Sequence, residues 1–168
     1  MRLNKTYEKE EAFSRRKKKL SKIMELKKVL AGCADLKAKG NLDIDIRNIT
    51  SDSREVKPGD MFVAIKGFDV DGHTFVAKAI EAGAKVIMIN EEELKGLVPV
   101  LTPDVTILVT KDTRVSLAKC ACNFYGNPSK KVKLIGVTGT KGKTTTTFMI
   151  KAILEKQGLK VGLIGTIA

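Results

Sequence analysis

The segment that decides the fold reads Gly136-Val137-Thr138-Gly139-Thr140-Lys141-Gly142-Lys143-Thr144-Thr145. An apolar run, residues 132–137, precedes it, and a stretch with helical spacing, residues 143–157, follows it. Glycines let a backbone approach phosphates closely, and the free N–H groups at a helix start point toward the anion. The order of strand, glycine loop and helix therefore predicts a phosphate-binding loop.

Two side chains of this loop have the chemistry that a bound nucleotide needs. Lys143 offers a mobile positive charge to the terminal phosphates, and the Thr144 hydroxyl suits Mg²⁺ coordination. The standard spacing would require glycine at position 137, which is Val137 here. A glycine turn without a ligand is the alternative, but Gly-Lys-Thr after an apolar strand is hard to explain that way.

The rest of the C-terminal part predicts the start of a parallel sheet. Gly158 ends the helix, and residues 160–164 read as a second strand, which gives a βαβ unit. Two strands and one helix cannot cover both faces of a sheet. We therefore expect residues 130–168 to be an incomplete domain.

Upstream, the sequence predicts a small mixed α/β domain over residues 24–126, followed by a linker at 126–129. Lys57-Pro58-Gly59-Asp60 has the composition of a turn. The predicted elements around it are strands at 61–65, 85–89 and 107–109 and helices at 25–30, 75–82 and 114–125. The fold class is α/β.

Basic charge is concentrated at the N-terminus. The net charge is +12, and residues 1–23 carry nine Lys/Arg against three Glu. This extension is interpreted as a solvated helix or disordered arm, or as untranslated sequence before Met24. With half of the excess charge in a tail, we expect no nucleic-acid partner. No apolar run approaches the roughly 18–20 residues that span a bilayer, so no membrane span is expected either.

The metal-ligating residue types are few. Three cysteines fit no disulfide framework, and Cys120 and Cys122 lie two positions apart in a predicted helix, on different sides. Buried free thiols and a reducing cytoplasm are therefore expected. His73, the single histidine, is interpreted as a loop-packing residue rather than an acid–base catalyst.

The variant glycine spacing resembles the ATP loop of the Mur ligase family, which adds amino acids to UDP-N-acetylmuramoyl peptides. The upstream domain agrees with the resemblance in four motifs: Ser51-Asp52-Ser53-Arg54, Lys57 to Ala64, Asp71-Gly72-His73, and Ala79 to Ala84. The resemblance implies UDP-substrate contacts at Ser51 and Ser53 and a uridine-enclosing loop around Phe68 to His73. Taken alone, the first motif would be interpreted as a strand-end turn with a local Asp52–Arg54 pair, and the later motifs shift the interpretation toward substrate contact.

The implied nucleotide site comprises Gly139, Thr140, Lys141, Gly142, Lys143, Thr144 and Thr145, with Lys143 catalytic and Thr144 as the metal ligand. Lys141 departs from the asparagine usual in the family. The implied cofactors are ATP and Mg²⁺. Thr140 and the Gly162–Ile167 stretch resemble the MurE branch, which adds diaminopimelate or lysine as the third amino acid to UDP-MurNAc-L-Ala-D-Glu.

The implied reaction is ligation through an acyl phosphate, with the UDP-MurNAc-dipeptide and a free amino acid as substrates in the cytoplasm. Since the family's further metal ligands and amino-acid-selecting domain lie downstream of Ala168, we expect these 168 residues alone to be inactive. The alternatives are a MurF-type ligase, a non-catalytic UDP-sugar-binding module, and a membrane or nucleic-acid binder acting through the basic tail.

Overall fold

The computed structural model describes residues 23–165 of the chain. The predicted basic extension lies outside the described residues, apart from Ile23. The chain divides into two compact units that meet between Pro128 and Ser129.

Within its described part, residues 23–128, the first unit contains seven short strands, four helices and three 3₁₀ turns. The strands are β1 Met24–Glu25, β2 Lys37–Lys39, β3 Asp45–Ile46, β4 Ile49–Thr50, β5 Met61–Val63, β6 Val86–Asn90 and β7 Thr106–Thr110. The helices are α1 Leu26–Val29, α2 Val76–Glu81, α3 Leu94–Leu97 and α4 Thr113–Tyr125. The 3₁₀ turns cover Gly72–Phe75, Glu91–Glu93 and Val98–Val100, and a fourth, Pro128–Lys131, crosses the boundary.

Five of the strands form one sheet in the order β2-β7-β6-β5-β4. Strands β4, β5, β6 and β7 are parallel, whereas β2 joins the edge antiparallel to β7. Strands β1 and β3 make a separate antiparallel pair. The sheet is thus mostly parallel, as the α/β prediction requires.

The core lies on both faces of this sheet because its central strands are apolar on both sides. Along β6, Ile87 and Ile89 pack into the cluster on one face, and Val86 and Met88 into the cluster on the other. Parallel strands covered on both faces are expected to be continuously hydrophobic. Helix α4 covers the second face with its buried residues Cys120 and Phe124.

The predicted helices and strands of the first unit are confirmed to within a few residues. The helix predicted at 75–82 is a 3₁₀ turn followed by α2, and Gly83 ends it with φ +94°. The helix predicted at 114–125 is α4, capped by the Asp112 carboxylate, which accepts from Arg114 N at 2.8 Å and Val115 N at 3.1 Å. Gly126 follows it in the left-handed conformation.

The second unit has one long helix, α5 Lys143–Lys156, where the sequence predicts it. The strands predicted at 132–137 and 160–164 are wrong for the described residues, since neither segment is paired in a sheet. A strand requires a hydrogen-bonded neighbour, and an apolar run does not supply one. Helix α5 has no buried residue, and an apolar groove of about 690 Å³ separates it from the two segments.

The cysteines are free, as predicted, but only Cys120 is buried. Cys122 is half-buried because it lies on another side of α4, and Cys33 is half-buried beyond α1. Burial, reinforced by the neighbouring Cys33 thiol, raises the pKa of Cys120 to about 12. Over the described residues, no helix combines the length and the apolar character needed to cross a membrane.

Candidate functional site

The glycine loop of the second unit takes a backbone shape that depends on its glycines. Gly139 has φ +147° and Gly142 has φ +77°, a region that other residues rarely adopt. A Cβ atom at Gly142 would meet no atom within 4 Å. Glycine is therefore favoured at position 142 by the backbone conformation, and not because a side chain would clash with other atoms.

Helix α5 starts directly after Gly142, so its first free N–H groups follow the loop. The Lys143 ammonium donates to the carbonyl oxygen of Gly139 at 2.7 Å and of Thr140 at 3.4 Å. The predicted metal ligand, Thr144, is exposed at the start of the helix. A mobile cation, helix-start amides and an accessible hydroxyl thus lie within one turn and fit a phosphate bound with a divalent cation.

In the first unit, the predicted substrate serines lie in the turn after β4. Ser51 is exposed and Ser53 is half-buried. Between them, the Asp52 carboxylate accepts from Arg54 Nε at 2.9 Å and Nη2 at 2.6 Å. These hydrogen bonds hold the pKa of Asp52 at about 2, below its ordinary 3.8. The local Asp52–Arg54 pair therefore forms and shapes the turn that carries both serines.

A second loop, residues 66–72, follows β5. Because β4 and β5 are parallel neighbours, this loop lies at the same edge of the sheet as the serine-bearing turn. It is closed by hydrogen bonds from Gly67 N to the Val70 oxygen at 3.0 Å and from Gly72 N to the Ile65 oxygen at 2.9 Å. A Cβ atom at either glycine would come within 2.6 Å of a backbone oxygen. Phe68, by contrast, is fully exposed.

His73 is buried at the end of this loop. Its Nε2 accepts from Asn90 N at 3.1 Å, so its proton is on Nδ1, which donates to the Asp71 carboxylate at 2.6 Å. Partial burial opposes ionisation of Asp71, but hydrogen bonds from His73 N and Nδ1 outweigh it and lower the Asp71 pKa. This arrangement agrees with the loop-packing interpretation of His73.

Sequence reasoning missed the polar residues at the carboxyl ends of β5, β6 and β7. A cavity of about 300 Å³ lies there, lined by Ile65, Lys66, Asn90, Lys111, Asp112, Thr113 and Arg114. Ligands of open parallel sheets bind at this edge. This group of residues could have been found from the sequence, because polar residues directly follow each strand that was predicted for the sheet.

These features define an α/β protein with a glycine loop that leads into a helix. A family model described as "Mur ligase family, catalytic domain" matches residues 45–125, and one described as "Mur ligase middle domain" matches residues 137–168. Together they cover about two thirds of the chain. The chain belongs to the Mur ligase family.

Named relatives agree with this assignment. The UDP-N-acetylmuramoyl-L-alanyl-D-glutamate–2,6-diaminopimelate ligase of Clostridium tetani is 52% identical across 86% of the chain, which spans 29% of that protein. The ligase of the same name from Clostridium botulinum is 55% identical across 74% of the chain and 25% of its own length. The chain therefore spans less than a third of the curated relatives it matches.

Among solved structures, MurF from Acinetobacter baumannii matches with a TM-score of 0.58 and 27% identity. The match covers 82% of this chain and 28% of that protein. The similarity supports the mixed α/β architecture with its mostly parallel sheet.

Proposed function

We propose that these residues belong to an ATP-dependent ligase that joins 2,6-diaminopimelate to UDP-N-acetylmuramoyl-L-alanyl-D-glutamate. The observation that carries the proposal is 52% identity, over 86% of the chain, to a ligase of that name. Residues 24–126 would bind the UDP-sugar substrate, and residues 130–168 would contribute the ATP loop. Of the two amino acids that the sequence left open, the relatives' name favours diaminopimelate.

The residues that would hold ATP are those of the glycine loop, Gly139 to Thr145. Amides at the start of α5 and the Lys143 ammonium would face the phosphates, and the Thr144 hydroxyl would coordinate Mg²⁺. Bound Mg²⁺ would neutralise charge on the phosphate oxygens. Lys141 is exposed and would add a further cation near the anion.

The UDP-sugar would lie against the first unit, contacting Ser51 and Ser53 after β4 and loop 66–72 after β5. Support comes from their positions after adjacent parallel strands, since ligands of such sheets bind beyond the carboxyl ends. The Asp52–Arg54 pair would keep the serine-bearing turn in one conformation.

The reaction would proceed in two balanced steps. A carboxylate oxygen of the D-glutamate residue attacks the γ-phosphorus of ATP, and the bond to ADP breaks. The amine of diaminopimelate then attacks the acyl phosphate, forms the amide, loses a proton and releases inorganic phosphate. Because phosphoryl transfer needs mainly positioning and charge neutralisation, Lys143 and the loop amides would be the contribution of this part of the chain.

A MurF-type ligase is the second candidate, since the solved structures that match include MurF proteins. Their 27% identity is about half that of the diaminopimelate ligases, which favours the first candidate. A UDP-sugar-binding module without catalysis is a further alternative.

The native protein, captured from its source cells with an antibody against residues 42–125, tests the proposal. We expect release of ADP only when UDP-MurNAc-L-Ala-D-Glu and diaminopimelate are both present. Use of lysine instead would correct the amino acid, and dependence on D-alanyl-D-alanine with the tripeptide substrate would favour MurF. UDP-sugar binding without ADP release would leave only the binding module.

We also propose a cytoplasmic location, because UDP-sugars and ATP are cytoplasmic substrates and all three cysteines are free. Fractionation of the source cells with the same antibody tests this location. Recovery in the membrane or extracellular fraction would contradict it.

A further inference from the structure

Loop 66–72 is fixed at both ends to the beginning of helix α4. At its first end, Arg114 Nη2 donates to the Lys66 carbonyl oxygen at 2.7 Å. At its second end, a chain of hydrogen bonds runs from Asp71 through His73 and Asn90 to Thr113, whose N–H donates to Asn90 Oδ1 at 3.2 Å. We call this set, Asp71, His73, Asn90, Thr113 and Arg114, the loop anchor.

The hydrogen bonds of the loop anchor determine side-chain orientations that packing alone would leave open. His73 is 4% exposed, and both of its ring nitrogens have partners, so its tautomer and its orientation are determined. Asn90 serves twice, donating through its backbone to His73 and accepting through its side chain from Thr113. A buried histidine whose two ring nitrogens are both paired favours one conformation of the residues around it.

The anchored loop nevertheless presents apolar side chains to solvent. Phe68 is 103% exposed and Val70 is 58% exposed, although the backbone on either side of them is closed by hydrogen bonds. The loop follows β5 at the carboxyl edge of the parallel strands, where such sheets bind ligands. Exposed aromatic surface on a fixed loop suits a flat ring, since binding orders little additional backbone.

We infer that His73 and Arg114 are positioning residues, which hold loop 66–72 in the conformation that binds the uridine end of the UDP-sugar substrate. This inference rests on the proposed function. Neither residue needs to contact the reacting atoms, and both act through the backbone of the loop.

Two histidine variants separate the halves of the anchor. In His73→Asn the side-chain amide can still donate to Asp71 but does not reach Asn90, whereas in His73→Gln the amide oxygen can accept from Asn90 N and the bond to Asp71 is lost. Arg114→Lys keeps the positive charge and removes the planar guanidinium donor. Because Arg114 is exposed, that variant tests the inference even if the histidine variants fold poorly.

The matched control is Thr106→Val. Thr106 is buried in the same sheet at the opposite end of β7, and its hydroxyl donates to the Asn41 carbonyl oxygen at 2.6 Å. Loss of the Thr106 hydroxyl removes one hydrogen bond, as each histidine variant does, but leaves loop 66–72 unchanged.

Calorimetric titration of the 168-residue chain with UDP-MurNAc-L-Ala-D-Glu measures the effect. Each anchor variant should raise Kd about 5- to 10-fold, the loss expected for one hydrogen bond, while Thr106→Val should lower the Tm with Kd unchanged. Amide hydrogen exchange at Gly67 and Gly72 should accelerate in both histidine variants, and exchange at Asn90 should accelerate in His73→Asn, where its acceptor is lost. None of the three should change in Thr106→Val.

The outcomes distinguish the inference from the proposed function. If the wild-type chain does not bind the UDP-sugar, the proposed function fails and the inference fails with it. If the wild type binds and the folded anchor variants bind equally well, only the inference is overturned. An equal loss of affinity in Thr106→Val would also overturn it, because general destabilisation would then explain the effect.

Discussion

The ammonium group of Lys143 donates to carbonyl oxygens of its own loop, at Gly139 and Thr140. A bound phosphate would replace these neutral acceptors with charged oxygens, which form stronger hydrogen bonds with an ammonium group. At the scale of single residues, the nucleotide site of this chain therefore depends most on this side chain.

Lys143→Ala should weaken ATP binding about 10- to 100-fold, since a hydrogen bond to a charged group is worth about 1.5–3 kcal/mol. Equilibrium dialysis with labelled ATP and Mg²⁺ measures the change. Lys156→Ala is the matched control, because it removes the same charge from the last turn of the same helix. Equal affinities for the two variants would count against a phosphate role for Lys143.

The Asp52–Arg54 pair predicts a specific pH dependence. Hydrogen bonds from Arg54 hold the pKa of Asp52 at about 2, against an ordinary 3.8. Because the folded-state pKa is the lower one, the pair stabilises the turn above about pH 4 and loses this contribution as the pH falls toward 2. An NMR titration of the Asp52 carboxyl carbon should give a midpoint near 2, and Arg54→Ala should return it toward 3.8. A wild-type midpoint already near 3.8 would show that the pair does not persist in solution.

At the scale of elements, α2 ends at a turn, at Gly83, that lies close to a second turn at Pro58 and Gly59. Gly83 has φ +94°, and a Cβ atom there would lie 2.9 Å from the Pro58 Cα atom. Gly59 N also donates to the Gly83 oxygen at 2.9 Å, which joins the two turns. A side chain at position 83 would therefore be strained and would separate them.

Gly83→Ala should lower the free energy of unfolding by roughly 2–4 kcal/mol, through left-handed strain together with overpacking. Gly32→Ala is the matched control, since Gly32 has φ +73° but no atom within 4 Å of an added Cβ. It should cost only about 1–2 kcal/mol, from the backbone conformation alone. Urea unfolding of both variants measures the difference, and equal costs would rule out a contribution from the Pro58 contact.

At the scale of the whole molecule, the two units differ in how completely they bury their apolar residues. Both core clusters lie in the first unit, on the two faces of its sheet. In the second unit Leu134, Ile135 and Phe148 are exposed, and no residue of α5 is fully buried. Regions with little buried apolar surface open at low free-energy cost.

Limited proteolysis with trypsin should therefore cut after Lys130, Lys131 or Lys133 before it cuts at Lys78 or Lys119, which lie in helices of the first unit. The resulting first-unit fragment should unfold cooperatively, because the strands and both core clusters remain intact. Mass spectrometry of the products and thermal melting of the purified fragment check both expectations. Early cleavage at Lys78 or Lys119 would contradict them.

Much of the fold could be predicted because its signals are local. The strands around residues 61–63, 86–90 and 106–110 are short apolar runs, and the ends of α2 and α4 are marked by Gly83 and Gly126. The start of α5 after Gly142 follows from the glycine loop in the same way. In each case the determining residues lie within one turn or strand of the feature that they specify.

The contacts that only the tertiary structure decided join residues far apart in the chain. The pairing of Lys37–Lys39 with β7, and the hydrogen bonds that link His73, Asn90 and Thr113, depend on strand order and on the packing of α4. The apolar run at 132–137 shows the converse, since a strand also needs a partner and local hydrophobicity cannot provide one. By itself the sequence determined the central strands and the longer helices of the first unit, the glycine loop with the helix after it, and the family. Long-range hydrogen bonding decided which edge β2 joined and how loop 66–72 is held, because donors and acceptors distant in sequence meet only after the sheet has formed.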